Sequence, residues 1–254
     1  MASLTDFALG LVSLYLVWRL PRGGELSRHW RAAFAWAAGI ALAGAVYHGV
    51  FVGIPWLSDL SWAVMSIMVV VVVSYLLAAS VVQVLGRSRV VVFWLLRSVG
   101  LVTYVVVAAA GHASITAIMW CESLTMASVL GLWIWAWLRR HPMGGPMLVA
   151  IGASIAAAML RLVPGAAALA GLDPDSAYHL GQIGGMVMLY HAVASAGGRS
   201  EATARLTPAG DGAHSYAVTR WYRRQLRCLA PTVGWLSSAP KRPVFDRIRR
   251  LGGR

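Results

Sequence analysis

LSDLSWAVMSIMVVVVVSYLLAASVVQVL, residues Leu57–Leu85, holds a single charged side chain, Asp59, near its start. About 20 apolar residues suffice to cross the ~30 Å hydrocarbon core of a bilayer. A run this long and this uncharged predicts a membrane-spanning helix. The rest of the chain has the same character. Apolar residues make up 59% of its 254 positions and charged residues 12%, against roughly 25% charged in a soluble domain. The mean hydropathy is +0.67.

Hydropathy places seven apolar segments at about Leu4–Leu20, Ala32–Val52, Leu57–Leu85, Val90–Ala110, Ser114–Leu138, Pro146–Val163 and Ala177–Ala196. The expected fold is all-α, a polytopic membrane protein of seven transmembrane helices over residues 1–196. The first segment lacks a basic start and a small-residue cleavage site, so it reads as a retained span rather than a signal peptide. Charge alternates between the loops. Arg19, Arg22, Arg28 and Arg31 mark the first, Arg87 and Arg89 the third, and Arg139 and Arg140 the fifth. The second holds Asp59, the fourth no formal charge, and the sixth Asp173 and Asp175. Basic loops stay cytoplasmic, which puts the N-terminus outside, the C-terminus inside, and the protein in the plasma (inner) membrane.

Residues 197–254 change character. They carry twelve of the 22 basic residues and three of the nine acidic ones. Gly198–Gly212 reads as a linker. About 214–230, with Tyr216, Trp221, Tyr222 and Leu226 among arginines, reads as an interfacial amphipathic helix, and the remainder as largely disordered. Beside a membrane the expected partners are lipids, with anionic headgroups at this tail, and no nucleic acid is expected. Cys121 and Cys228 are too far apart in the topology for an expected disulfide. Arg-rich, Ala-rich usage with one lysine, Lys241, fits a bacterial source.

Ionisable side chains inside spans are costly and point to function. With this orientation, His48, Asp59, His112, Glu122 and His179 all fall in the outer half of the membrane, while His191 falls at the cytoplasmic end beside Tyr190. Each has an ordinary structural role open to it. Asp59 can cap the third helix, His112 can sit in a polar turn, and His48 can be a buried hydrogen-bonded histidine. Glu122 can pair with Arg97 or Arg161. His179 and Gln182, three residues apart, share one helix face, next to Tyr178.

Imidazoles and carboxylates from several helices are a ligand set for zinc, which lowers the pKa of bound water and polarises carbonyls. His48, His112, His179 and Glu122 are the candidate ligands, with Asp59 and Glu122 as candidate catalytic carboxylates. At this depth the reachable bonds are amides and esters of lipids. Haem is not expected, because the separation of twelve positions from His179 to His191 turns their rings about 120° apart. Two further readings compete: a sensor or scaffold acting through its basic tail, and a transporter or proton relay using Glu122. Against a transporter, there is no inverted repeat.

The architecture, with a histidine ending helix two, an aspartate opening helix three and a histidine on helix seven, resembles the CREST superfamily of alkaline ceramidases, progestin and adipoQ receptors and hemolysin-III-like proteins. That resemblance implies a zinc-dependent membrane amidase or lipid hydrolase. In it, a Ser and a His stand on helix two, an Asp on helix three and a His-x-x-x-His pair on helix seven. His48, Asp59 and His179 match. Gly44 stands at the serine position and Ile183 at that of the second histidine. A nearer likeness is to bacterial seven-span proteins of unassigned function with YHG in helix two and Asp-x-x-Tyr-His-x-x-Gln opening helix seven, here Asp175 to Gln182.

Overall fold

The computed structural model of the protein describes residues 2–206 apart from 23, 113–114, 164 and 166. It is all-helical, and no strand occurs among the described residues. Seven α-helices follow one another in the described residues: α1 (Ala2–Arg19), α2 (Gly24–Val46), α3 (Pro55–Leu85), α4 (Val90–Val107), α5 (Ile115–Leu138), α6 (Gly144–Leu162) and α7 (Pro174–Leu206). Among the described residues five stretches are long and apolar enough to cross a membrane: Leu26–Phe51, Pro55–Leu85, Arg87–Gly111, Ala117–Leu138 and Gly144–Arg161. The two helices outside that set, α1 and α7, carry the polar residues Asp6 and His179 in their second turns.

Local chemistry explains most helix ends. Pro55 opens α3 at its first position, after extended Ile54, where a missing N–H costs nothing. Gly86 closes it at φ 88°, a conformation that excludes most side chains. Asp173 caps α7: Oδ1 accepts the Ser176 N–H at 2.9 Å and Oδ2 accepts the Ser176 hydroxyl at 2.6 Å. These bonds hold the Asp173 carboxyl below its ordinary range. Both α2 and α4 end in a π-helical turn, Tyr47–Phe51 and Ala108–His112. Such turns often mark functional sites.

Buried Trp30, Phe34, Leu77, Trp133, Met143 and Met147 form the centre of the bundle. The one polar atom of Trp133 is satisfied there, its Nε1–H donating to Ser80 Oγ at 3.0 Å. Glycines bring helix axes together. A Cβ on Gly10 would stand 2.7 Å from Leu42, and one on Gly181 would stand 2.6 Å from the Ala157 Cβ. The outward face of α4 shows Val91, Trp94, Leu95, Val102 and Val105, each more than half exposed, as a lipid-facing helix requires.

Two expectations need correction. Asp59 does not cap α3. The capping position belongs to Ile54, because Pro55 starts the helix one turn earlier than the polar pattern implied. Helix α7 does not end near Ala196 but continues to Leu206, through part of the segment read as a linker. Alanines with Arg199 and Glu201 keep the helix favourable enough to absorb Gly197 and Gly198. The chain divides into compact units Met1–Ser200 and Glu201–Arg254. The proposed amphipathic segment at 214–230 and the rest of the tail lie outside the described residues.

Candidate functional site

Three helices meet at one carboxylate. Asp6, four residues into α1, is only 5% exposed. Its Oδ1 stands 3.1 Å from Nε2 of His179 on α7, and its Oδ2 stands 3.8 Å from Nε2 of His48 in the π-helical turn ending α2. The other ring nitrogen of His179, Nδ1, lies 3.1 Å from the Thr5 hydroxyl oxygen. Both nitrogens of one imidazole are therefore engaged by neighbouring residues of α1.

The proton count at His179 is constrained. The Thr5 hydroxyl has one proton and two acceptors in reach, Nδ1 of His179 and the Ala2 carbonyl at 3.0 Å. When that proton goes to Nδ1, the Nε2–H of a neutral imidazole faces an ionised Asp6. When it goes to Ala2, Nδ1–H donates to Thr5, and the Asp6–Nε2 contact then holds one shared proton. The second arrangement holds one proton more on the Asp6–His179 pair than the first, so uptake of a proton by the pair is coupled to a rotation of the Thr5 hydroxyl. That is the wiring of an acid–base centre.

Gly44 makes room for this arrangement. A Cβ there would lie 2.9 Å from Asp6 Oδ2, 3.1 Å from Cγ and 3.3 Å from Oδ1. The Asp6 carboxylate from α1 fills the space that a side chain at position 44 would take. Ser3 ties the same helices together by donating to the Ala45 carbonyl at 2.7 Å. Tyr47 braces His48, with ring centroids 5.0 Å apart edge to face, and accepts from the Ser58 hydroxyl at 3.4 Å.

A cavity of about 600 Å³ opens from the pair. Asp6, Tyr178, His179 and Gln182 line it at one end, and mainly aliphatic residues of α2, α3, α5, α6 and α7 line the rest. Such a volume lies within the range of small-molecule sites. Gln182 donates from Nε2 to the Ser154 carbonyl on α6 at 3.2 Å. Close by in sequence, Arg161 Nε pairs with Asp175 Oδ1 at 2.9 Å, tying α6 to the first turn of α7.

The other expected site residues go elsewhere. Glu122 lines the cavity, but Arg97 grips it bidentately, Nη2 to Oε1 at 2.9 Å and Nη1 to Oε2 at 3.1 Å. Thr125 accepts from Arg97 at 2.8 Å and the Cys121 thiol donates to Glu122 at 3.3 Å. Both charges are buried. With its lone pairs committed to a guanidinium, Glu122 is withdrawn from the metal set and from the base role. Asp59 is exposed and forms no hydrogen bond or ion pair among the described residues, so its expected catalytic role has no partner there. The backbone of His112 ends the second π-helical turn, after Gly111 at φ 85°, and its side chain lies outside the described residues. His191 is exposed, edge to face with Tyr190 at 5.3 Å.

Asp6 is the residue that sequence reasoning missed. The signal was available, because the rule that singles out Glu122 applies equally to a carboxylate in the first span.

A family model described as a family of unknown function (DUF6962) matches residues 1–197, a stretch that includes Asp6, His48 and His179. No curated protein and no solved structure matches the chain. The protein belongs to the family of unknown function DUF6962.

Proposed function

We propose that the protein is a membrane-embedded, zinc-dependent hydrolase of lipid amide or ester bonds, distantly akin to the CREST superfamily. On this reading all seven helices cross the plasma (inner) membrane with the N-terminus outside, and the site faces the outer leaflet. The observation that carries the reading is the buried Asp6 carboxylate held between His179 and His48 at the end of an apolar cavity.

The donor set suits zinc, being one carboxylate and two imidazoles with a position left for water. Ligand atoms around tetrahedral zinc stand about 3.3 Å apart for bonds of ~2.0–2.1 Å. The Asp6–His179 spacing of 3.1 Å meets this, while the Asp6–His48 spacing of 3.8 Å is longer. Among the described residues no three His, Cys, Asp or Glu side chains already stand close enough to hold a metal. His48, with 30% of its side chain exposed, is the member with room to move inward. Asp6 thus supplies the third donor that Ile183 cannot. Bound zinc would lower the pKa of a water and polarise a carbonyl. The chain's own part would be to exclude bulk water with the apolar cavity wall and to fix the His179 ring through the Thr5 hydroxyl at Nδ1. Tyr178 and Gln182, on the cavity wall, orient the polar part of the substrate.

The test is elemental mass spectrometry of detergent-purified protein, followed by a screen of lipid amides and esters. About one zinc per chain is expected for a site of this kind. It should be lost in Asp6→Ala and His179→Ala and kept in Glu122→Gln. Absence of stoichiometric metal in the wild type, or its retention in Asp6→Ala, overturns the assignment.

A further inference from the structure

The central cavity is elongated along the helices. Its lining runs from Trp30 to Ala41 on α2, from Met147 to Ala158 on α6 and from Tyr178 to Leu189 on α7. Each stretch advances about 16 Å at 1.5 Å per residue, comparable to one leaflet of a ~30 Å hydrocarbon core. The Asp6–His179 pair stands at one end. An acyl chain laid lengthwise matches that shape and its mainly aliphatic wall.

Two polar atoms along the wall lack a partner. Ser13 Oγ on α1 and Trp30 Nε1 on α2 form no hydrogen bond among the described residues, and both residues are buried and line the cavity. Other hydroxyls in the bundle are satisfied locally. Ser74, Thr103, Thr125 and Ser128 each donate to the carbonyl four residues back, and Ser13 does not. Buried Trp133 gives its N–H to Ser80, whereas Trp30 has no such acceptor. Orphaned donors in an apolar setting are costly and rare. An indole N–H only donates, so the partner Trp30 lacks is an acceptor; a serine hydroxyl can give or accept.

The two atoms stand at different depths. A Cβ on Gly44 would touch Asp6 and one on Gly10 would touch Leu42, which sets the antiparallel register of α1 on α2. In that register Ser13 lies about 10 Å inward of Asp6, and Trp30 roughly 12 Å further in, at the far end of the lining. A buried water needs 2–4 polar partners, and no single water reaches both atoms. An acyl chain passes both.

We propose that the cavity takes one oxygenated acyl chain, that of a lipid amide or ester bearing a hydroxyl away from its carbonyl. Ser13 meets a hydroxyl at mid-chain and Trp30 meets one at the tip. The place of the scissile bond, at the Asp6–His179 end, rests on the hydrolase reading. Binding of the chain does not, since neither Ser13 nor Trp30 is among the metal donors.

Full-length protein in detergent, treated with EDTA, is offered hexadecanamide and its derivatives hydroxylated at the tenth or at the terminal carbon. Binding is read by native mass spectrometry and by the thermal midpoint. Each hydroxylated amide is expected to bind the wild type about fivefold more tightly than the plain one, the net worth of a hydrogen bond. Ser13→Ala should cancel the advantage of the mid-chain hydroxyl and keep that of the terminal one. Trp30→Phe should do the reverse. Plain hexadecanamide should bind both variants as it binds the wild type, and Ser98→Ala, on the exposed face of α4, should change nothing. Equal binding of plain and hydroxylated amides by the wild type overturns the proposal and leaves the two atoms to water. So does a hydroxyl advantage that survives both substitutions. Failure of the hydrolase reading alone looks different: no zinc in the untreated protein and no hydrolysis, with the hydroxyl advantage intact.

Discussion

Arg97 and Glu122 show how a costly pair can be tolerated where it stands. Two charges buried at 2% and 4% exposure carry a desolvation penalty that only good geometry offsets. The bidentate contact and the bonds to Thr125 and Cys121 supply that geometry. Gly100 permits it, because a Cβ there would stand 2.5 Å from Thr125 Oγ1 and 2.6 Å from the Cys121 carbonyl. Removing one partner strands the other charge. Arg97→Leu and Glu122→Leu should each destabilise by about 3–5 kcal/mol, read from thermal melts in detergent. The double variant Arg97→Leu/Glu122→Leu should recover most of that loss. If each single variant melts within a degree or so of wild type, the pair is not holding α4 to α5. At the same scale Gly44 is matched to Asp6, so that what is missing from one helix defines where the carboxylate of another can lie.

Among elements, the pairing of α6 with α7 sets where His179 points. Gly181 and Gly185, four apart on one face of α7, would drive a Cβ into Ala157 and Ser154 at 2.6 Å and 2.5 Å. Small residues at this spacing let helices approach closely where lipid offers no hydrophobic drive. Gly184 lies between them in sequence, yet nothing stands within 4 Å of a Cβ built on it. Gly181→Leu should therefore cost about 1–3 kcal/mol through overpacking and lower zinc retention by displacing His179. Gly184→Leu should leave both unchanged. Equal effects in melting and metal content for the two variants would count against this packing face.

Over the whole molecule, the proposed outward position of the site depends on topology. Reporters fused after Arg140 and in the Asp173–Asp175 turn separate the alternatives. A cytoplasmic signal at the first and a periplasmic one at the second is the expected pattern. The reverse would place Asp6 and His179 on the inner side, and the candidate substrates would then be inner-leaflet lipids. The central cavity runs along the helices, lined by alanines such as Ala33, Ala37, Ala41, Ala150 and Ala158, whose small side chains leave the volume open.

The sequence by itself determined the helical class and approximate helix positions, because apolar length and the 3.6-residue period are local properties of the chain. It also placed His48 and His179 among the residues worth following. Which polar groups meet was decided by the tertiary structure. Asp6 and His179 are 173 residues apart, and Glu122 met Arg97 rather than a histidine. The rotation of each helix about its axis depends on close approaches at Gly44, Gly100 and Gly181. Such contacts are fixed by the neighbouring helix, so no reading of one segment alone reveals them.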